Sequence, residues 1–200
     1  MKNLKEYIIE GIFDTDENTI DKSIKDQIKQ FLKENFKDAS SCKISDKPNA
    51  DGKYEVSSSK NIMVINEKIT SLTNSMFIWT EVGGDFYCKY CDSLISLEGA
   101  PKKVGGDFSC DFCESLTSLK GAPKEVGGYF NCSRCKSLKS LKGTPKEVGG
   151  DFACNYCYSL TSLEGAPKEV NGGFQCIHCK VKFTEEDVKK VSNVKGKIFV

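Results

Sequence analysis

From Val82 onward the chain repeats one unit of 22 residues four times without slippage: VGGDFYCKYCDSLISLEGAPKK, VGGDFSCDFCESLTSLKGAPKE, VGGYFNCSRCKSLKSLKGTPKE and VGGDFACNYCYSLTSLEGAPKE, ending at Glu169. A fifth copy, VNGGFQCIHCK, opens at Val170 and then diverges. A strict period of this length leaves few folds open. Each unit is one supersecondary element that cannot bury its own apolar face, so copies must stack.

Within a unit, Phe86 and Cys88 stand two apart, which sends both to one face of a strand and Asp85, Tyr87 and Lys89 to the other. Cys91 has the wrong parity to continue that strand, so the chain must bend near Tyr90 for both sulfurs to face inward. Leu94 and Leu97 follow at intervals of three, Gly99-Ala100-Pro101 supplies a turn, and Val104 opens the next copy. The unit therefore reads as a strand, a bend, an apolar return and a turn. Val82, Phe86, Cys88, Cys91, Leu94 and Leu97 point inward and can leave water only against the coils above and below. Stacking should form one buried column from Phe86, Phe108, Phe130, Phe152 and Phe174.

Written as Phe86-x-Cys88-x-x-Cys91-x-x-Leu94-x-x-Leu97, the unit resembles the leucine-rich repeat, and in its wording the leucine-rich-repeat-like proteins of tailed bacteriophages and some bacteria. On that resemblance Phe86 takes a leucine position, Cys88 the next, and Cys91 the Asn/Cys position. One extra residue before Leu94 implies a different convex side. The fold expected is a β-rich solenoid of leucine-rich-repeat-like stacked coils, and the resemblance specifies architecture more than function.

Both ends read as caps. Residues 60–81 echo the unit, with Ile62 and Val64 alternating as Phe86 and Cys88 do and Ile69-Thr70-Ser71-Leu72 matching Leu116-Thr117-Ser118-Leu119. Pro48 to Gly52 suggests a hairpin. Ile20, Ile24, Ile28, Phe31, Leu32 and Phe36 recur at helical spacing, which predicts an amphipathic helix over 19–37 covering the open end of the array. Thr184-Glu-Glu-Asp opens a short helix to about Val191, and 196–200 adds a closing strand. The expected organisation is an amphipathic peptide over 1–16, an α/β cap with a degenerate first coil over 17–81, the five-copy array over 82–183, and a short helical cap over 184–200. Capping matters because the ends of a solenoid are unpaired strand edges.

Ten of the eleven cysteines fall in five Cys-x-x-Cys pairs. Neighbouring pairs stand as Cys-x2-Cys-x18-Cys-x2-Cys, within the spacing of a four-cysteine zinc site. Against zinc, five pairs leave one without a mate, and both sulfurs already occupy core positions. The favoured reading is a small buried hydrophobe, with the Cys91 column donating weakly to backbone carbonyls; a zinc-stabilised module is the alternative. No cofactor and no metal site are expected. A thioredoxin-like role needs an exposed, low-pKa thiol at a helix start, and these pairs sit at strand ends.

Charge and composition exclude further classes. Lys and Arg total 29 against 28 Asp and Glu, so no net field draws the chain to nucleic acid or anionic lipid. Tyr7-Ile8-Ile9 is cut short by Glu10, so neither a membrane span nor a secretory core is expected, and the location expected is cytoplasmic. The single histidine, His178, lies between Cys176 and Cys179. No base, nucleophile and oxyanion donor assemble, which disfavours an enzyme.

What remains is recognition, and it must use positions that differ between copies. The outward strand columns read Tyr87, Ser109, Asn131, Ala153, Gln175 and Lys89, Asp111, Ser133, Asn155, Ile177, and the bend column reads Tyr90, Phe112, Arg134, Tyr156, His178. The binding residues expected are Tyr87, Tyr90, Phe112, Asn131, Arg134, Tyr156 and Gln175, offered by a monomer to a protein partner. Packing of the bend rings on one another as structure is the competing reading. At the start of the chain, Leu4, Tyr7, Ile8 and Ile12 share one helical face. This stretch resembles the capsid-targeting peptides of internal head proteins in T-even phages. That resemblance implies cleavage between Glu10 and Gly11, a phage-encoded protein, and the virion head as an alternative to the host cytoplasm. The competing reading is an N-terminal helix docked on the cap.

Overall fold

The computed structural model describes residues 17–200. These form a β-solenoid of about seven stacked turns with two helices. Helix α1 (Glu17–Asn35) leads into β1 (Phe36–Lys37), a 3-10 turn (Ala39–Ser41), β2 (Cys42–Ile44), β3 (Tyr54–Ser58), β4 (Ile62–Val64) and β5 (Phe77–Val82). The array then alternates two kinds of two-residue strand. One kind comprises β6 (Phe86–Tyr87), β8 (Phe108–Ser109), β10 (Phe130–Asn131), β12 (Phe152–Ala153) and β14 (Phe174–Gln175). The other comprises β7 (Lys103–Val104), β9 (Glu125–Val126), β11 (Glu147–Val148) and β13 (Glu169–Val170). Helix α2 (Glu185–Val191), β15 (Asn193–Val194) and β16 (Ile198–Phe199) follow.

The strands form two eight-stranded sheets, ordered β1-β4-β6-β8-β10-β12-β14-β16 and β15-β13-β11-β9-β7-β5-β3-β2. Neighbours within the array are parallel and in register, Phe on Phe in the first sheet and Val on Val in the second. The expected phenylalanine column is present. Phe86, Phe108, Phe130, Phe152 and Phe174 are fully buried, with successive ring centroids 6.1, 5.1, 5.6 and 5.0 Å apart. It continues toward the N-terminal end through Trp79, 6.0 Å from Phe86, and Phe36, 5.4 Å from Trp79.

The second sheet was not anticipated. Each Lys/Glu-Val pair is a strand in miniature, with the valine buried and its charged neighbour turned outward, and Gly105 N–H donates to Val82 O at 2.8 Å to carry the ladder. The leucine return is made of turns instead. Leu94 N–H bonds Cys91 O and Ala100 N–H bonds Leu97 O, at 2.9 and 3.0 Å.

Gly-Gly-Asp forms the corner between the sheets. A Cβ on Gly105, Gly127 or Gly149 would run into the carbonyl oxygen of the glycine one coil back, so the first glycine is set by backbone approaching backbone. A Cβ on Gly106 or Gly128 would run into the carboxylate of Asp85 or Asp107 from the preceding coil. Those carboxylates accept the N–H of Asp107 and of Tyr129, each at 2.8 Å. Asp151 likewise accepts Gly173 N–H at 2.6 Å, so aspartates bind three of the corners to the next coil, while Tyr129 interrupts the column in the third copy.

At the ends the pairing changes. Strand β4 stacks in parallel on β6, while β1 pairs antiparallel with β4 and β2 antiparallel with β3, so the hairpin around 48–52 closes one end of the second sheet. Helix α1 buries Ile28 and Leu32 over that end, and Phe31 packs edge-on against Phe77 at 5.8 Å. The helix stops at Asn35 because Phe36, helical by periodicity, instead pairs with Val64. At the other end Thr184 and Asp187 form a capping box that starts α2, and β15 and β16 add a last turn in parallel register.

Candidate functional site

The bend after each strand of the first sheet places a large side chain in the left-handed region: Tyr90 at φ 58°, Phe112 at 60°, Arg134 at 60°, Tyr156 at 57° and His178 at 55°. Bulky residues rarely adopt this conformation. It is held by the ladder, which runs on through the bend. Tyr90 N–H bonds Asp111 O, Phe112 N–H bonds Ser133 O, Arg134 N–H bonds Asn155 O and Tyr156 N–H bonds Ile177 O, at 2.7–3.1 Å. The left-handed turn then releases the second cysteine of each pair back into the core.

Because coils repeat at the strand spacing of about 4.8 Å, the five planar groups fall at stacking distance. Tyr90 and Phe112 lie 4.6 Å apart at 25°. The Arg134 guanidinium lies between rings, 4.8 Å from Phe112 and 4.6 Å from Tyr156. Tyr156 and His178 stack at 4.8 Å and 22°. The result is one unbroken ladder of π groups over five coils. Tyr90, Arg134 and His178 are exposed and Phe112 and Tyr156 half-buried, and exposed Tyr158 meets Tyr156 edge-on at 6.4 Å. The ring faces are occupied by one another. What the ladder offers a partner is ring edges, two phenol hydroxyls, the guanidinium tip and the outer face of Tyr90.

Beside the ladder, the outward strand residues divide by size. Tyr87, Asn131 and Gln175 are half-exposed, whereas Ser109, Asp111, Ser133 and Ala153 are buried among their larger neighbours. The polar ones are bonded to each other: Ser109 Oγ donates to Asp111 Oδ1 at 2.6 Å, Asn131 Oδ1 accepts Ser133 N–H at 2.9 Å, and Asn155 Nδ2 donates to Gln175 Oε1 at 3.1 Å. Tyr87 donates to Asp85 at 2.8 Å, and the Lys89 ammonium sits 4.6 Å above its ring. Burial, and then the bond to Asp85, push the Tyr87 phenol up to about 12. The face is a flat, hydrogen-bonded polar surface bordered by the ladder. Six of the seven expected binding residues are within it or along its edge in the four complete copies or the first strand column, and Gln175 extends it into the fifth.

Nine cysteines are buried, and Cys42 and Cys179 are half-buried. The second cysteine of a pair reaches back to the first cysteine of the preceding coil: Cys113 Sγ donates to Cys88 O at 2.9 Å, Cys135 to Cys110 O at 3.2 Å, Cys157 to Cys132 O at 3.3 Å and Cys179 to Cys154 O at 3.2 Å. Donation requires the proton. The bond with Cys88, together with burial, holds the donor Cys113 well above the usual thiol range, and burial does the same for the donor Cys157. Cys179, half-buried at the end of the column, is instead lowered by its contact with Cys154. Among the described residues, no three His, Cys, Asp or Glu side chains converge in a group that could hold a metal ion.

Comparison with protein families, curated proteins and solved structures returned no match. Glu10 and Gly11, with the rest of the N-terminal peptide, lie outside the described residues. The ladder itself was only half legible in the sequence. The column of planar residues could be read, but not the left-handed backbone that brings them face to face; the signal was a forced bend at the same phase in every copy.

Proposed function

We propose that this protein is a non-enzymatic protein-interaction module, holding a protein partner along the ladder edge and the adjoining face of the first sheet. The observation that carries the reading is the choice of residue at the two left-handed corners. Gly99, Gly121, Gly143 and Gly165 serve at one, with φ of 88–108°, while the other takes Tyr, Phe, Arg, Tyr and His at the same kind of φ. Backbone economy favours glycine at both. Retaining large planar groups at the exposed corner speaks for a use of the side chains, and Tyr and Arg are the residues that dominate binding energy at protein interfaces. Tyr87, Asn131 and Gln175 supply the polar complement beside them.

The test replaces Tyr90, Phe112, Arg134 and Tyr156 together by Asn, which tolerates the left-handed region. A second variant carries Ser at Lys102, Lys124, Lys146 and Lys168, all exposed at the far corner. With both baits folded by circular dichroism, the Asn variant should lose a partner that the wild-type chain and the Ser variant retain from lysate. Loss in the Ser variant with retention in the Asn variant would move the interface to the lysine ridge.

A further inference from the structure

Arg134 is the chain's single arginine. It stands at the middle of the ladder, with its guanidinium 4.8 Å from the Phe112 ring and 4.6 Å from the Tyr156 ring. Both of its faces are covered, and what reaches solvent is the edge that carries the N–H donors. No carboxylate among the described residues takes that edge: Asp111 pairs with Lys89 at 3.7 Å and Glu114 with Lys136 at 2.6 Å. An exposed guanidinium held by rings and left without an anion is a binding group whose geometry is set before a ligand arrives.

The strand face beside it is built the same way. Asn131 Oδ1 accepts Ser133 N–H at 2.9 Å and Gln175 Oε1 accepts from Asn155 Nδ2 at 3.1 Å, so each amide uses its oxygen in the fold and keeps its NH2 group. Both residues are half-exposed, and neither NH2 group has a partner among the described residues. Ser133 Oγ accepts Asn155 N–H at 3.1 Å, and Asn155 Oδ1 accepts Ile177 N–H at 3.0 Å. The Asp111 carboxylate is buried and accepts from Ser109 at 2.6 Å. The fold thus occupies the acceptors of this face and leaves donors: the Arg134 edge, the Asn131 and Gln175 amides, and the Tyr90 and Tyr156 hydroxyls. Register sets the two amides in one row, on β10 and β14, two coils or about 9.6 Å apart.

We propose that the partner presents an acidic peptide segment, one carboxylate of which docks on the Arg134 edge while neighbouring acceptors take the Asn131 and Gln175 amides. The inference rests on the reading of this face as the binding surface and adds the chemistry of what binds there. A carboxylate suits the charge. One guanidinium among neutral donors matches a single negative charge in bidentate geometry, whereas phosphate groups are recognised by clusters of arginine.

The probe is a capped octapeptide of alternating serine and glutamate, compared with the same peptide carrying glutamine, and with one carrying phosphoserine, at the glutamate positions. In NMR spectra of nitrogen-labelled protein the single arginine gives one Nε–H resonance, which reports on Arg134 without ambiguity. That resonance should shift saturably with the glutamate peptide, and the glutamine peptide should bind at least about tenfold more weakly, as expected when a hydrogen bond to a charged group is lost. Arg134→Lys keeps the charge without the planar fork and should weaken the glutamate peptide about tenfold. Asn131→Asp combined with Gln175→Glu retains both internal bonds, because the accepting oxygens stay, and should weaken that peptide about as much by repulsion, with the circular dichroism spectrum unchanged. Equal affinity for the glutamate and glutamine peptides, or for the wild-type chain and both variants, would overturn the proposal. Tighter binding of the phosphoserine peptide would overturn it in favour of a phosphorylated partner. An Arg134 resonance that no peptide moves, while the four-position Asn variant still loses its partner from lysate, would refute the acidic segment and leave the binding surface standing.

Discussion

Phe130→Ala tests the stacking argument at its centre. Phe130 is fully buried, with its ring 5.1 Å from Phe108 and 5.6 Å from Phe152, and both neighbours are themselves fully buried. Truncation removes the ring from the middle of a column, so neither side can collapse inward without breaking the register of strands on both sides. Loss of a buried phenylalanine costs about 3–5 kcal/mol through lost transfer energy and the cavity left behind. Two ring contacts of about 0.5–1.5 kcal/mol each lie within that total and place the expectation at its upper end. For a chain of this length, about 2–4 °C is lost per kcal/mol, so the melting temperature should fall by roughly 8–20 °C.

The assay gains from the chain's single tryptophan. Trp79 is buried at the N-terminal end of the column, so its emission reports the cap while far-UV circular dichroism reports the whole array. In a stack where each coil touches only its neighbours, a weakened central coil lowers the coupling between halves. The two probes should coincide in urea for the wild-type protein and separate for Phe130→Ala, with the circular dichroism transition moving first. A cost below about 1 kcal/mol, no larger than that of an ordinary surface change, would refute the buried column.

Four further outcomes concern the corners and the sulfurs. Gly127→Ala sets a Cβ against the Gly105 carbonyl, a backbone atom with no room to yield, and should cost about 1–3 kcal/mol by urea denaturation, whereas Gly52→Ala, with open space around it, should cost less despite its φ of 74°. Native protein should offer only Cys42 and Cys179 to alkylation, with Cys179 faster at neutral pH, and should keep its fold in chelator with less than stoichiometric zinc; two zinc ions per chain and melting in chelator would refute the thiol core. Burial raises Cys42 from 9.0 to about 11, so its share of stability is complete below pH 9 and lost between about 9 and 11 as the folded thiol ionises; a loss confined to lower pH would contradict this. Arg134→Gly should change stability by no more than about 1 kcal/mol, because relief of the left-handed backbone offsets the two lost cation–π contacts.

The repeat made the solenoid legible, because a column such as Phe86 to Phe174 has only one way to leave water. Caps were legible where they used ordinary devices: the α1 periodicity, the turn at 48–52, and the Thr184 capping box. The second sheet was not, since Glu-Val before Gly-Gly is too short a run to show alternation and acquires its meaning only when five copies align. The corner function of Asp85 and Asp107 was hidden for a similar reason. Each carboxylate bonds the backbone of the next coil and occupies the space where its glycine lacks a Cβ, a relation between residues about 21 or 22 apart.

The ladder brings the structural and the recognition readings to one comparison of magnitudes. A left-handed conformation costs an ordinary residue about 1–2 kcal/mol. A stacked aromatic pair returns about 0.5–1.5 kcal/mol, and a cation–π contact at an exposed site about 0.5–1 kcal/mol. The five residues are joined by four contacts, so stacking offsets the backbone cost only in part. Glycine at these corners would leave the coil no less stable than the rings do, as the chain's own use of glycine at the opposite corner illustrates. Packing alone therefore gives no reason to prefer Tyr, Phe, Arg and His there. A surface that must present rigid, planar groups in a fixed row gives one, because the stack immobilises each side chain before a partner arrives and lowers the entropy lost on binding.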